Sequence, residues 1–343
     1  MSYPERKRKR SRWSKPHSTQ NPSPSLPDDV LLSIFARVSR LYYPTLSHVS
    51  ESFRSLLASP ELYKARSLSG NTEICLYVCL RCSTGYRWFS LSRKPDQTLT
   101  YEERKSSGYA LARVPIPGGS PNVRSSSLVA VGSDIYNICG SINKASSSSS
   151  VSILDCQSHT WREAPSLPVE LSSISASVRD GNQGGHGYSD SRKNSFKVFA
   201  YNSKEGRWDH LVGLGAGSFM LPDSYCVIDN VSYSVSDGMF RWYDTEVRRW
   251  KDLRGLFQLP KFSAGACVIL ADYGGKMAVL WDQLPYHHGF HKTIQCAVIA
   301  LERRTSFVFR EKSCQIWGKV EWVDDLLTVP TSYDLVKVLV ATL

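Results

Sequence analysis

Long apolar runs are missing from this chain. None approaches the roughly 18 consecutive residues a helical membrane span needs, and the amino-terminal stretch is basic without an apolar segment, unlike a secretory signal. Paired cysteines are missing too. Nine cysteines at irregular spacing give no disulfide framework and fit reduced thiols in cytosol or nucleus. No glycine-rich loop follows a strand to cradle phosphate. Cys79-Leu80-Arg81-Cys82 has the spacing of a metal or redox pair, but no second pair at zinc spacing accompanies it. An extended strand there points its thiols to opposite faces. His287, His288 and His291 share a loop flanked by glycine and proline, with no carboxylate ligand pattern beside them. That loop reads as solvated, with adventitious divalent metal binding as the alternative. The expectation is therefore no cofactor, no metal and no catalytic centre.

Charge is present, but it is unevenly placed. Of the net +11, Arg6, Lys7, Arg8, Lys9, Arg10, Arg12 and Lys15 against Glu5 contribute +6 within the first 25 residues. The other 318 residues carry only +5, so no basic face for nucleic acid is expected on a folded domain. Residues 1–23 read as a disordered tail, rich in proline and serine after its basic cluster. Arg6, Lys7, Arg8, Lys9 and Arg10 fit a nuclear import signal, and a solvated tail is the equal alternative. The expected location is nucleus, cytoplasm or both. With 343 residues, 41% apolar and 21% charged, the chain has the composition and length of one large globular domain beside a small module.

That small module begins at Leu26. Pro27 suits the first position of a helix, and Asp28 and Asp29 bring negative charge to its first turn. Val30, Leu31, Ile34, Phe35 and Val38 share one helical face, and Pro44 stops the helix. A second stripe follows in Leu46, Val49, Phe53, Leu56 and Leu57, with Thr45 as its cap. Ser59-Pro60 opens a third helix carrying Leu62. Three short amphipathic helices are too little chain to bury a core of their own, so the apolar face fits another protein.

These positions, from Leu26-Pro27-Asp28 through Phe53-Arg54 to Ser59-Pro60-Glu61-Leu62, resemble an F-box over residues 24–68. Phe53 departs from the Trp common there, and the second helix carries a polar Ser50-Glu51-Ser52. The resemblance implies docking onto a Skp-type adaptor and, through it, a cullin. Leu26, Pro27, Val30, Leu31, Ile34, Phe35 and Val38 are the implied adaptor contacts. A helical cap packed on the following domain is the other reading of the same stripe.

Past residue 70 the pattern changes to short strands. Val151–Cys156, Phe196–Ser203 and Met239–Thr245 each alternate, meet Asp155, Asn202 or Asp244, turn, and reach Trp161, Trp208 or Trp250. The tryptophans are spaced 47 and 42 residues apart, the period of a radial array of sheets. Asp or Asn bonds the backbone two residues on, and each Trp offers a large ring for packing between neighbouring sheets. Paired strands precede the hairpins, as in Tyr225–Ile228 and Val231–Val235 around Asp229-Asn230. Four strands per unit make a propeller blade.

The units resemble kelch repeats, clear at about 128–165, 173–212, 224–254 and 265–322. Together with the module, residues 24–343 resemble the plant F-box/kelch-repeat family. Trp208-Asp209 and Trp281-Asp282 also admit a WD-repeat array, but they occupy different repeat positions. The expected fold is a small all-α F-box of three helices and an all-β propeller of five to six blades over 71–343. The first blade is expected to use Glu73–Leu80 and Arg87–Ser92, and Leu335–Val340 is the expected closing strand, since a propeller needs its ends joined. One blade is expected to be incomplete, because Arg179–Asn194 offers no apolar middle strand. The resemblance implies the substrate-recognition subunit of a Skp–cullin–F-box ubiquitin ligase, holding an unknown target protein on the propeller. A kelch scaffold or cytoskeletal interaction protein outside any ligase is the alternative; neither involves nucleic acid or membrane.

Overall fold

The computed structural model describes residues 26–94, 108–138, 149–170, 174–179, 183–190, 195–202, 205, 207–211, 225–263, 266–284, 289–308 and 311–343. The basic tail with its Arg6–Arg10 cluster lies outside these residues, as do His287 and His288.

Helix α1 (Asp28–Phe35) has Asp28 and Asp29 in its first turn. Pro27 sits one position earlier than expected, as the extended N-cap at φ −56° and ψ 147°, where its missing N–H costs nothing. A 3-10 turn, Arg40–Tyr42, leads into α2 (Tyr43–Leu46), which holds Pro44 in its first turn. The helix expected from Thr45 to Leu57 is interrupted. Ser50 is extended at φ −158°, and its Oγ accepts the N–H of Phe53 at 3.0 Å, starting α3 (Glu51–Leu57) anew. A serine that can satisfy an orphan donor competes with continued helix, and here it wins. Ser59 caps α4 (Pro60–Leu68) in the same way, accepting from Leu62 at 3.4 Å. Contrary to the expectation of a coreless module, Leu31, Phe35, Tyr43, Leu57 and Leu62 pack together, with Phe53 edge-on to Phe35 at 4.9 Å.

Five antiparallel sheets of four strands follow. The first joins β1 (Ile74–Cys82), β2 (Gly85–Arg93) and β3 (Tyr109–Arg113) to the last strand, β20 (Asp334–Thr342), in the order β20-β1-β2-β3. The second holds β4 (Leu128–Val131), β5 (Asp134–Ile138), β6 (Val151–Asp155) and β7 (Thr160–Ala164). The third holds β8 (Ile174–Arg179), β9 (Gln183–Asp190), β10 (Ser195–Asn202) and β11 (Arg207–Leu211). The fourth is β12 (Tyr225–Ile228), β13 (Val231–Ser236), β14 (Met239–Asp244) and β15 (Arg249–Asp252). The fifth is β16 (Val268–Tyr273), β17 (Lys276–Gln283), β18 (His291–Val308) and β19 (Glu311–Pro330).

The innermost strands lie side by side: β20 against β4, β4 against β8, β12 against β16, and β16 against β20. Apolar clusters fill the space between sheets. Leu76 and Leu91 of the first meet Ile269, Leu280 and Val298 of the fifth, while Tyr77 and Trp88 meet Ile135 and Leu154 of the second. This is a β-propeller. Its ends are joined by β20 pairing with β1, by Glu73 and Leu343 exchanging backbone hydrogen bonds, and by Thr342 donating to the Gly132 carbonyl.

The expectation of an incomplete blade is overturned. Gln183–Asp190 is a full strand, paired with β8 on one side and β10 on the other, with Tyr188 opposite both Ile174 and Lys197. The ladder uses backbone N–H and C=O groups, which glycine supplies as well as any residue. Two neighbouring strands with open edges override the poor strand propensity of Gly-Gly-His-Gly. The hairpin at Asp229-Asn230 does form as expected, with φ of 48° and 61°.

β18 and β19 are far longer than their repeat requires. β17 pairs with β18 only as far as Ile299, and the next residues pair with β19 alone. This extension crosses to the fourth sheet: Gly318 N–H donates to the Arg254 carbonyl at 2.7 Å, and Lys251 Nζ to the Cys314 carbonyl at 3.2 Å. Gly255, at φ +87°, would put a Cβ onto the Gly318 carbonyl oxygen, so glycine there lets the two segments approach this closely.

Candidate docking face and the joint behind it

The seven residues singled out on the first helix divide between two faces. Leu31 and Phe35 turn inward, at 9% and 3% exposure, and Val38 packs against the same core. Leu26, Val30 and Ile34 turn outward, at 52%, 39% and 44%, and Pro27 is exposed beside them. Val30 and Ile34, four apart, stack on one side of the helix, and Leu26 is exposed just before its extended N-cap. Asp28 and Asp29 are also exposed at its amino-terminal end.

Behind this face, polar groups tie the module to the propeller. Arg66, on the inward side of α4 and 1% exposed, donates through Nη1 to the carbonyls of Ala36 (3.3 Å) and Val38 (2.8 Å) and to the Tyr43 hydroxyl (3.0 Å). Its Nη2 lies 3.1 Å from Glu73 Oε2, and the same oxygen accepts the Arg40 N–H at 2.7 Å. Arg40 Nη2 reaches the Cys156 carbonyl at 3.3 Å, and its guanidinium sits 5.0 Å above the Tyr63 ring. Tyr77 Oη donates to that same Cys156 carbonyl at 3.1 Å and lies 3.3 Å from His159 Nε2. The Ala36, Val38 and Tyr43 bonds hold Arg66 within the module, while the Glu73 carboxylate and the Cys156 carbonyl join the module to the propeller.

Burial shapes the protonation of these groups. His159 is pushed down to about 4 by desolvation and by the Arg40 charge, so its imidazole is neutral at physiological pH. Desolvation also pushes the Tyr77 phenol and the Cys79 and Cys156 thiols well up, away from any reactive thiolate. Cys79 lies in the core between the first and second sheets, while Cys82 is bound at the hairpin to Thr84 and the Gly85 carbonyl. Among the described residues no cluster of three His, Cys, Asp or Glu could hold a metal ion.

The repeat residues take up the turn geometry read from the sequence. Asp155 Oδ1 accepts the Gln157 N–H at 2.8 Å, and Asp244 Oδ1 accepts the Glu246 N–H at 3.0 Å. Trp161, Trp208 and Trp250 pair with Leu154, Tyr201 and Tyr243, and Asn202 pairs with Arg207. The tryptophans differ in what they touch. Trp161 meets Trp88 of the first sheet edge-on at 6.1 Å, bridging two sheets. Trp250 lies over Tyr243 and Tyr225 of its own sheet and is 43% exposed.

The sequence pattern did not bring Arg40, Arg66 and Glu73 together. The available signal was Arg66 itself: it stands four residues after Leu62, on the face that must turn inward.

Comparison with known proteins agrees with this division of the chain. Residues 23–65 match the F-box domain, and residues 88–199 and 183–327 match the FKB95 Kelch-repeats domain. F-box/kelch-repeat protein At5g51250 of Arabidopsis thaliana is 51% identical over 93% of this chain and 100% of its own length. From the same plant, F-box/kelch-repeat protein At3g06570 is 47% identical over 93% of each chain. F-box/kelch-repeat protein At4g39550, also of Arabidopsis, is 44% identical over the full length of both.

Proposed function

The chain belongs to the F-box/kelch-repeat family, and we propose that it is the non-catalytic substrate-recognition subunit of a Skp–cullin–F-box ubiquitin ligase. The five four-stranded sheets are read as the blades that hold a target protein, and the helical module as the part that grips a Skp-type adaptor, which connects to a cullin. One observation carries the reading: Leu26, Val30 and Ile34 are exposed apolar side chains on a module joined to the propeller through Glu73. Within this reading the implied contacts separate into two roles. Leu26, Pro27, Val30 and Ile34 touch the adaptor, while Leu31, Phe35 and Val38 hold the helix that presents them.

The test is co-purification of the full chain with a Skp-type adaptor. Truncating buried anchors at such interfaces costs on the order of 2 kcal/mol or more each. Val30→Asp with Ile34→Asp should therefore abolish capture while the thermal transition of the propeller stays in place. Capture undiminished by that pair would remove the adaptor reading and leave a kelch scaffold outside any ligase.

A further inference from the structure

A cavity of about 1120 Å³ opens where the helical module, the first sheet and the fifth sheet meet. Pockets for drug-sized molecules span about 300–1,000 Å³, so the space admits one with room to spare. Its walls are largely aromatic and apolar. Tyr43, Leu57 and Tyr63 come from the module, and Leu91 and Tyr109 from the first sheet, with Trp322 stacked on Tyr109 at 4.6 Å.

The charges around it do not balance. Each carboxylate on the wall is engaged: Glu73 by Arg66, and Glu321 by Lys276 at 2.7 Å. Among the described residues Arg40, Arg54 and Arg113, which also line the cavity, have no carboxylate partner. Arg40 keeps Nη1 buried without a hydrogen-bond acceptor among the described residues, a costly state for a guanidinium. His159, on the same wall, is neutral. The cavity is thus an apolar space rimmed by uncompensated positive charge.

We propose that this cavity binds a small amphipathic organic anion, with an aromatic or alicyclic body and one carboxylate or sulfonate. The body lies between Tyr63, Tyr109 and Trp322, and the acid meets the exposed Arg54 and Arg113. Such a ligand bridges module and propeller, so its binding stiffens the joint between the adaptor-facing and target-facing parts. The inference does not depend on the ligase reading.

The experiment is calorimetric titration of the full chain with 1-anilinonaphthalene-8-sulfonate, beside N-phenyl-1-naphthylamine, which has a closely similar body without the acid. The expected result is one saturable site for the sulfonate and at least tenfold weaker binding of the neutral compound. Arg54→Glu with Arg113→Glu, both on exposed side chains, should weaken the sulfonate about tenfold, because a hydrogen bond to a charged group is worth that much or more. Ala112→Trp, which fills the cavity from β3, should block it. Val30→Asp with Ile34→Asp should leave it unchanged, which separates the cavity from the exposed helical stripe. Near-ultraviolet circular dichroism verifies that each variant is folded. Absence of saturable binding, equal affinity for the two compounds, binding indifferent to the arginine reversals, or binding that survives Ala112→Trp in a folded variant would each overturn the proposal.

Discussion

Two kinds of joint hold this molecule together. In the core between the first and fifth sheets the contact is apolar: Leu76, Leu280, Ile294 and Val298 interdigitate. Between the helical module and the propeller the bonds that cross are polar: Arg66 and the Arg40 N–H both reach Glu73, and Arg40 Nη2 reaches the Cys156 carbonyl. The apolar contact is non-directional. The polar one is directional, because hydrogen bonds weaken steeply away from their preferred angles. The module's aim therefore rests on a few named atoms, whereas the packing of sheet on sheet is spread over many side chains.

The largest expected effect tests the polar joint. Arg66→Ala removes the Glu73 ion pair and leaves the Ala36 and Val38 carbonyls without that donor, and breaking such a buried pair costs about 3–5 kcal/mol. Hydrogen exchange over Asp28–Leu68 should then accelerate while Ile135–Ile138 keeps its protection. Leu280→Ala, at 0% exposure, should cost about 2–5 kcal/mol. It should speed exchange in the first and fifth sheets and spare the module. If both variants loosen module and propeller equally, the two joints are one cooperative unit and the comparison fails.

A second test compares the tryptophans. Trp161→Ala removes a bridge between sheets and should cost about 2 kcal/mol, whereas Trp250→Ala, half in solvent, should cost under about 1 kcal/mol. Urea midpoints at constant slope would measure both, and a larger loss at Trp250 would reverse the assignment.

Much of the propeller could be read from the chain. Asp155 and Asp244 place turns through their own side chains, Asp229-Asn230 needs a left-handed hairpin, and alternation in Val151–Asp155 and Met239–Asp244 marks half-buried strands. These signals are local. What stayed hidden depends on partners far along the sequence. β9 exists because β8 and β10 flank it, and the long reach of β18 and β19 exists because the fourth sheet receives it. At the candidate site the helix and its stripe were legible. The division into outward Leu26, Val30 and Ile34 and inward Leu31 and Phe35 was not, since it depends on where α3 and α4 lie.

The smallest effect contrasts two carboxylates by pH. For Asp244 desolvation pushes the acid up, but the Lys251 ammonium at 2.6 Å and the Val247 and Glu246 N–H groups outweigh it and hold it below the ordinary range. Its stabilisation is therefore present at neutral pH and lost as pH falls below about 4. Desolvation raises Asp134 despite Arg162, so on acidification its protonation favours the folded form. Asp244→Asn should flatten the acid limb of a urea-midpoint series, and Asp134→Asn should steepen it slightly. Identical limbs would show that neither group is coupled to folding.

The seam at β20 has a consequence for how the molecule is made. The innermost strand of the first sheet is the last one in the chain, so Ile74–Cys82 leaves the ribosome some 250 residues before Asp334–Thr342 arrives to pair with it. During all that synthesis Leu76 and Val78 present an open strand edge on the nascent polypeptide, and at about 5–20 residues per second the interval lasts tens of seconds. The ring therefore cannot close before Asp334–Thr342 has been made, and a nascent chain stalled before residue 334 is a clasp with only one half.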